Sequence, residues 1–447
     1  MAEGALSGLA VVEYSNGVAG AMCAKAMADL GADVVKVESP QGDPARRRGP
    51  FAENRPDGEA SGQFLYLNAN KRGVTLDTER AEDRARLARM VQTADLFVTD
   101  LSAREAGRLS LSYADLGQAN PRLVGVYVTP FGHTGPYRDF QGSDLVVWHM
   151  GGMGYETPFS GVADLEKEPP LRGGGYQADY LAGWTAAAAA MTALAYREAY
   201  GVGQMVDVAG VEAVANHIRG NFALYSYDIA KLPESRLKSA FRWIWPCKDG
   251  HVSLSFSLDH WWEALRDCMG RPEWADRPEY ARLAGRVQLM DEIEDGVARW
   301  LALHTRKELY RLLKDRGISC FPVLSMAEVL ETPQYAEREF FIEPAHPVAG
   351  RLKQPGPPAR LSRTPWEVRR PAPTLGQHNA EILSRIDDPP RQDLSGSRGA
   401  GVAVDGVAEA NAPLKGVRII DFGWILSVPQ CTAWLGTVGA EVVRVES

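Results

Sequence analysis

Several catalytic signatures are missing from this sequence: no two histidines have HxxxH spacing, no serine sits in GxSxG, and no GxxxxGK[ST] loop occurs. Zincin, α/β-hydrolase and P-loop NTPase chemistry therefore have no starting point. Cysteine is scarce. The five cysteines, Cys23, Cys247, Cys268, Cys320 and Cys431, never fall into CxxC spacing, which argues against both a disulfide framework and a zinc site. A metal-free protein of a reducing, cytoplasmic compartment is expected.

Long apolar runs are absent too. The longest, Leu181 to Tyr196, spans 16 alanine-rich residues, short of the roughly 20 strongly apolar residues that cross a bilayer. The first residues have no basic stretch leading into an apolar run and a small-residue cleavage site, so no signal peptide is expected. Positive charge is not in excess. A net charge of -8 and a pI near 5.6 oppose nonspecific binding to nucleic acid or to anionic membranes. A polyanionic ligand would need a local basic patch.

What is present is an ordinary soluble composition, 45% hydrophobic and 24% charged over 447 residues, enough for two or three folding units. The opening stretch alternates strand and helix signals: LAVVEY (9-14), a glycine turn, AMCAKAMADLG (21-31) and DVVKVE (33-38). Consecutive apolar strands separated by helices predict a parallel sheet covered on both faces. GVTLD (73-77), DLFVTD (95-100) and LVGVYVTP (123-130) extend the pattern into a Rossmann-like, doubly wound α/β domain. The spacing predicts a long helix from Asp179 to Ala199, then a strand and helix in 203-217. From about residue 225 the texture changes. Trp243, Trp245, Trp261, Trp262 and Trp274 gather around a strand at 251-257 and amphipathic helices, predicting a second, smaller α+β domain over 225-317. These aromatics read as core or as the lining of an acyl pocket. Residues 387-412, rich in Gly, Ala, Asp, Ser and Pro without apolar period, read as a flexible linker.

The last 35 residues (413-447) align without gaps on residues 5-39, with ten identities, where average composition would give roughly two or three by chance. Gly31-Ala32 match Gly439-Ala440, and Val37-Glu38-Ser39 match Val445-Glu446-Ser447. The expectation is the truncated start of a second repeat.

Among the motifs, Gly17-Val18-Ala19-Gly20 lies between a strand and a helix, where backbone N–H groups can hold a phosphate, and Glu38 ends the next strand as in a ribose-binding fingerprint. The spacing is GxxG, however, so a structural turn and a dinucleotide site both stay open. GDPARRRGP (42-50) and NANKRG (68-73) bring Arg46, Arg47, Arg48, Lys71 and Arg72 near predicted strand ends, either to receive phosphates or as solvated loops. Asp179, at the start of its helix, is read as an N-cap and equally as a rigidly held carboxylate nucleophile.

Taken in order, ADLGADVVKVESPQGDPAR (28-46), YLNANKRGVTLD (66-77), NPRLVGVYVTPFGHTGPYRD (120-139), GSDLVV (142-147), the Asp179 segment, GQMVDVAGVEA (203-213), PCKDGHVSLS (246-255), ISCFPVLSMAEVL (318-330) and LGQHNAEIL (375-383) resemble the class III, CaiB/BaiF-type, coenzyme A transferases over residues 5-386. The resemblance implies a large CoA-binding domain of 1-224 plus 318-386, with the whole chain similar to the first half of a fused tandem enzyme. It implies an interlocked homodimer, or pairing with a second repeat within one protein. It also implies CoA transfer from an acyl-CoA thioester to a carboxylic acid, with Asp179 as nucleophile. CoA contacts would fall on Val18, Ala19, Ser39, Leu76, Asp100, Leu101, Arg108 and Gly142, with Lys71 and Arg72 nearby. Ser39 stands where the formyl-CoA branch has arginine, Val18 where it has glutamine, and Asp100-Leu101 where it has Asn-Phe, which disfavours oxalate or formate. The α-methylacyl-CoA racemases of the same family carry a His-Asp relay where this chain has Ser143-Asp144, so transfer is preferred to racemisation. The remaining alternatives are a degenerate, non-catalytic half and an NAD-dependent oxidoreductase.

Overall fold

The computed structural model describes residues 4-51, 54-158, 162, 164, 167-227, 242-387 and 412-446; most of the expected linker at 387-412 lies outside them. Contacts divide the chain into two units, Met1–Gly152, Gly173–Ile218 and Phe340–Ser447 in one, Met153–Arg172 and Arg219–Glu339 in the other.

The larger unit is built on a parallel sheet. Its strands are β1 (Ala10–Tyr14), β2 (Asp33–Glu38), β3 (Arg72–Thr75), β4 (Leu96–Thr99), β5 (Val124–Thr129) and β6 (Met205–Ala209). They lie in the order β3-β2-β1-β4-β5-β6, so the chain reverses its direction of winding between β1 and β4. Valine-rich strands suit this place, because β-branched side chains pack well when both faces of a sheet are covered. The helices of the unit that matter here are α1 (Val18–Asp29), α2 (Gly62–Asn68), α3 (Ala81–Gln92), α4 (Ala103–Arg108), α5 (Tyr113–Ala119), α6 (Asp144–Met150), α7 (Gln177–Tyr200) and α8 (Gly210–His217). One face of the sheet buries Val11, Val34, Val98 and Val126 with the small side chains of α1 and α7. The other buries Val12, Val35 and Phe97 with Leu87, Met90 and Val91 of α3 and Leu116 of α5. The doubly wound architecture expected from strand–helix alternation is thus present. No helix among the described residues is long and apolar enough to cross a membrane.

The smaller unit holds an antiparallel sheet of β7 (Ile244–Cys247), β8 (Gly250–Leu254) and β9 (Cys320–Pro322). The strand at 320-322, which the family resemblance places in the large domain, pairs with β8 instead, its register aligning Cys320 with Leu254, both buried. Trp245 and Trp262 are fully enclosed with Phe256 and Tyr280, so these two indoles are core.

Residues 412-446 form a strand–helix–strand of their own. Strands Arg418–Asp421 and Glu441–Arg444 pair in parallel around the helix Ser427–Thr437. Arg418 faces Glu441 as Ala10 faces Asp33, which is the same register displaced by the sequence repeat. Gly31 and Gly439 occupy the same left-handed turn, at φ 106° and 104°, a conformation open to glycine at little steric cost. Positions that are buried in residues 5-39 stand open in the matching segment: Val12 is 5% exposed but Ile420 61%, Val37 1% but Val445 45%.

Between β1, β2 and the residue that precedes β3 lies a sealed lattice of charge. Glu13 receives Lys36 at 2.9 Å on one oxygen and Lys71 at 2.6 Å on the other, with all three side chains fully enclosed. Lys36 also meets Asp43 at 2.8 Å and donates to the Ser15 carbonyl, while Lys71 donates to the Ala21 carbonyl and Asn68. Burial alone would raise the Glu13 carboxyl; the two ammonium groups overcome it and hold the group down to about 2. A carboxylate depressed in the folded state stabilises the fold above its ordinary value near 4.5, and that contribution is lost as pH falls toward 2. Glu13→Gln leaves the buried Lys71 ammonium without its counter-charge and Lys36 with Asp43 alone, and should cost about 3 to 5 kcal/mol. Urea unfolding at pH 7 measures this loss, and an undiminished midpoint refutes the account. The variant should also lose the part of the acid transition that lies between pH 4.5 and pH 2.

Candidate active site

In an open parallel sheet the crevice forms outside the carboxyl ends of the strands where winding reverses. Here that point is the gap between the ends of β1 and β4. The Asn16 N–H after β1 donates to Asp100 Oδ2 after β4 at 2.8 Å, tying the two loops together. α1 starts two residues later at Val18, and its N-cap Gly17 supplies no side-chain cap, so the first-turn N–H groups face the crevice without a side-chain acceptor from Gly17. The resulting cleft encloses 670 Å³ and is lined by residues following β1, β4 and β5 and by the starts of α1, α6 and α7.

The approach of α7 to α1 sets the geometry. Along the shared face α7 offers Ala182, Ala186, Ala187 and Ala190 to Cys23, Ala24 and Met27 of α1. At the closest point stands Gly183, where a β-carbon would lie 2.7 Å from the Ala19 carbonyl oxygen and 2.7 Å from the Met22 β-carbon. Real side chains do not tolerate that separation. The absence of a side chain at 183 therefore lets the start of α7 reach the start of α1.

Asp179 is the third residue of α7. The N-cap is Tyr176, so the helix begins two residues earlier than the sequence predicts, and Asp179 lies inside the first turn rather than ahead of it. Its half-buried carboxylate lines the cleft, at the positive end of the helix dipole. The Asp179 N–H donates to Asp144 Oδ1 at 3.1 Å. Asp144 is buried in the first turn of α6, so one carboxylate joins the starts of two helices. Gly142, just before α6, admits no side chain either, since a β-carbon there would meet Pro130 Cβ at 2.5 Å.

Val18, Ala19, Asp100, Gly142 and Asp179 therefore converge on one cleft. The other expected contacts lie elsewhere. Lys71 is sealed against Glu13, and Leu76 and Leu101 belong to the core. Arg72 pairs with Asp33 and Glu381, at the amino end of β3. Arg108 is exposed and meets Glu79 at 3.1 Å, and the Ser39 hydroxyl donates to the Gly42 carbonyl. Of the arginine run, Arg46 clasps Glu38 and Glu59, Arg47 donates to the Gln41 carbonyl, and Arg48 lines the cleft. Arg104 and Arg138, which the motif reading did not single out, also line it and share Asp139 at 3.7 and 3.5 Å. Their signal was positional: each stands in the segment that follows a predicted strand of the parallel sheet. Among the described residues no group of three or more His, Cys, Asp or Glu is arranged to hold a metal ion.

The family model described as CoA-transferase family III matches residues 6-379 and, separately, residues 414-447. The succinyl-CoA:(R)-benzylsuccinate CoA-transferase subunit BbsE of Thauera aromatica is 33% identical over 82% of this chain and 91% of its own length. A formyl-CoA:oxalate CoA-transferase of Streptomyces avermitilis is 31% identical over 85% of this chain and 94% of its own. The crystal structure of a CaiB/BaiF family protein from Brucella suis superposes with a TM-score of 0.74 at 27% identity, covering 86% of this chain and all of that one.

Two expectations test this geometry. Burial pushes the Asp100 carboxyl up to about 6, despite the N–H it accepts from Asn16. The group is therefore ionised at pH 7 and largely neutral at pH 5, and an anionic ligand beside it should bind more tightly at the lower pH. Asp100→Asn should raise affinity for CoA several-fold at pH 7 and flatten that part of the pH dependence; calorimetric titration at both pH values decides, and unchanged affinity removes Asp100 from the ligand's surroundings. Gly183→Val should force α1 and α7 apart at a cost of about 1 to 3 kcal/mol in melting experiments, whereas Ala188→Val, on an exposed position of α7, should cost well under 1 kcal/mol.

Proposed function

This chain belongs to CoA-transferase family III, and on that footing we propose that it transfers CoA from an acyl-CoA thioester to a carboxylic acid through covalent intermediates on Asp179. One observation carries the reading: a helix-start carboxylate, fixed through its backbone by Asp144, opens into the cleft at the point where the sheet reverses its winding. A nucleophilic carboxylate must be ionised and held at its electrophile, and the helix dipole and the rigid first turn favour both.

An Asp179 carboxylate oxygen attacks the thioester carbonyl. The tetrahedral adduct collapses with loss of CoA thiolate, leaving a mixed anhydride between Asp179 and the donor acyl group. The thiolate then attacks the aspartyl carbonyl and expels the donor as a free carboxylate, giving an aspartyl-CoA thioester. An acceptor carboxylate attacks that carbonyl, thiolate leaves again, and its attack on the acceptor acyl carbonyl releases the new acyl-CoA and restores Asp179. Every nucleophile and leaving group is a carboxylate or a thiolate, so no proton need be moved. The cleft lining accords with this: among the described residues it contains no histidine or lysine, and Ser143 precedes Asp144 where a racemase relay would need a base. What the steps require is stabilisation of oxyanions, for which the first-turn N–H groups of α1 are candidates.

An NAD site fits less well. Glu38, the candidate ribose ligand, already accepts both Arg46 Nε and Nη2 and the Asp43 N–H. We also read residues 413-447 as the opening unit of a second family III repeat; the separate family match and the shared strand register support this.

Asp179→Ala should lower transfer by more than about a thousandfold, and hydroxylamine quenching of the wild-type enzyme with acyl-CoA alone should leave a hydroxamate on residue 179, read by mass spectrometry. Full activity in the variant would falsify the assignment.

A further inference from the structure

A second cavity lies at the opposite, amino-terminal edge of the same sheet. It encloses 440 Å³ between the end of α1, the first residues of β2 and β3, and the segment 369-385. Its lining carries Arg72, Arg369, Arg370 and Arg385 against only Asp33 and Glu381, a positive surplus in a chain of net charge -8. The active-site cleft has the reverse balance, with Arg48, Arg104 and Arg138 facing Asp100, Glu105, Asp139, Asp144 and Asp179.

The arginines are held in place. Asn70, buried and in the left-handed region at φ 68°, accepts the N–H groups of Arg369 and Arg370 on Oδ1 at 2.6 and 3.1 Å. Its amide donates in turn to Asp29 and to the Glu367 carbonyl. Arg72 is gripped by Asp33 and Glu381, and Arg385 approaches the same Glu381 at 3.7 Å. Arg370 has no carboxylate within ion-pair reach among the described residues, although its backbone is fixed. His378 accepts the Gly73 N–H on Nδ1 at 3.0 Å, so its proton belongs on Nε2 and the ring adds a neutral donor to the lining.

We propose that this cavity is a second ligand site, separate from the active-site cleft, which takes a phosphate-bearing anion. Guanidinium forks bind carboxylates and phosphates alike. Here, though, three carboxylates already engage part of the arginine array, Asp33 and Glu381 from the lining and Glu367, which meets Arg369 at 3.6 Å, and a ligand must outcompete them. A phosphate, with up to about two charges and three acceptor oxygens on one centre, does so better than a single carboxylate. The volume suits a small molecule.

The test is equilibrium titration of the full chain with inorganic pyrophosphate at low salt. Binding should persist in Arg48→Ala, which alters only the cleft, and weaken by at least about tenfold in Arg370→Ala/Arg385→Ala, the loss of one charge-assisted contact or more. Arg385 is largely exposed and Arg370 lies at the surface, so the double variant should fold, which circular dichroism verifies. Arg385→Lys, which keeps the charge but loses the fork, should fall between the two. The proposal is overturned if wild type does not bind pyrophosphate, if Arg48→Ala rather than the double variant loses binding, or if citrate binds more tightly than pyrophosphate. None of these outcomes depends on transferase activity, so the site and the proposed function stand or fall separately.

Discussion

The active-site geometry rests on how closely α7 can approach α1. Helices normally pack with axes 8 to 10 Å apart, the distance being set by the side chains at the contact. Alanines along the shared face and Gly183 against the Ala19 carbonyl bring these two nearer their limit. Two helix starts then open into one cleft, with Asp179 on one and the uncapped turn at Val18-Ala19 on the other. A larger side chain at residue 183 would push against Ala19 and Met22 and so separate Asp179 from the first turn of α1.

Electrostatics follows the same division between framework and site. The strand ends are stitched by charges that never meet solvent: Glu13 with Lys36 and Lys71, Glu38 with Arg46. Such pairs repay their desolvation only when every partner is satisfied, and these carry backbone carbonyls and Asn68 as further partners. The repeated unit keeps a looser version, Asp421 with Arg444 at 4.0 Å in place of Glu13 with Lys36. The opposed signs thus recur across the repeat, while hydrophobic positions such as Ile420 lie open.

Much of this was legible in the order of residues. Alternation of apolar strands with helices specified a doubly wound sheet, since short buried strands and amphipathic helices repeat on different periods. The repeat at 413-447 could be read by counting identities, and its two strands pair in the register that β1 and β2 use. Helix α7 was evident from alanine content, although its start was misjudged by two residues: Tyr176, not a polar side chain, is the cap. The strand at 320-322, placed in the large domain by the resemblance, pairs with β8 of the smaller unit, since three residues carry no signal of their partner.

By itself, then, the sequence determined which segments become strands and helices, where glycine permits close contact or a left-handed turn, and that an aspartate stands near the start of the alanine-rich helix. Only the tertiary structure decided which charges are paired internally and which line the cleft. Lys71 and Glu13 are 58 residues apart yet 2.6 Å from one another, and Arg72 reaches Glu381 across 309 residues. A basic motif read along the chain cannot reveal such partners, because an ion pair depends on distance in space and on burial. That is why Lys71 and Arg46 became framework while Arg48, Arg104 and Arg138 came to line the cleft.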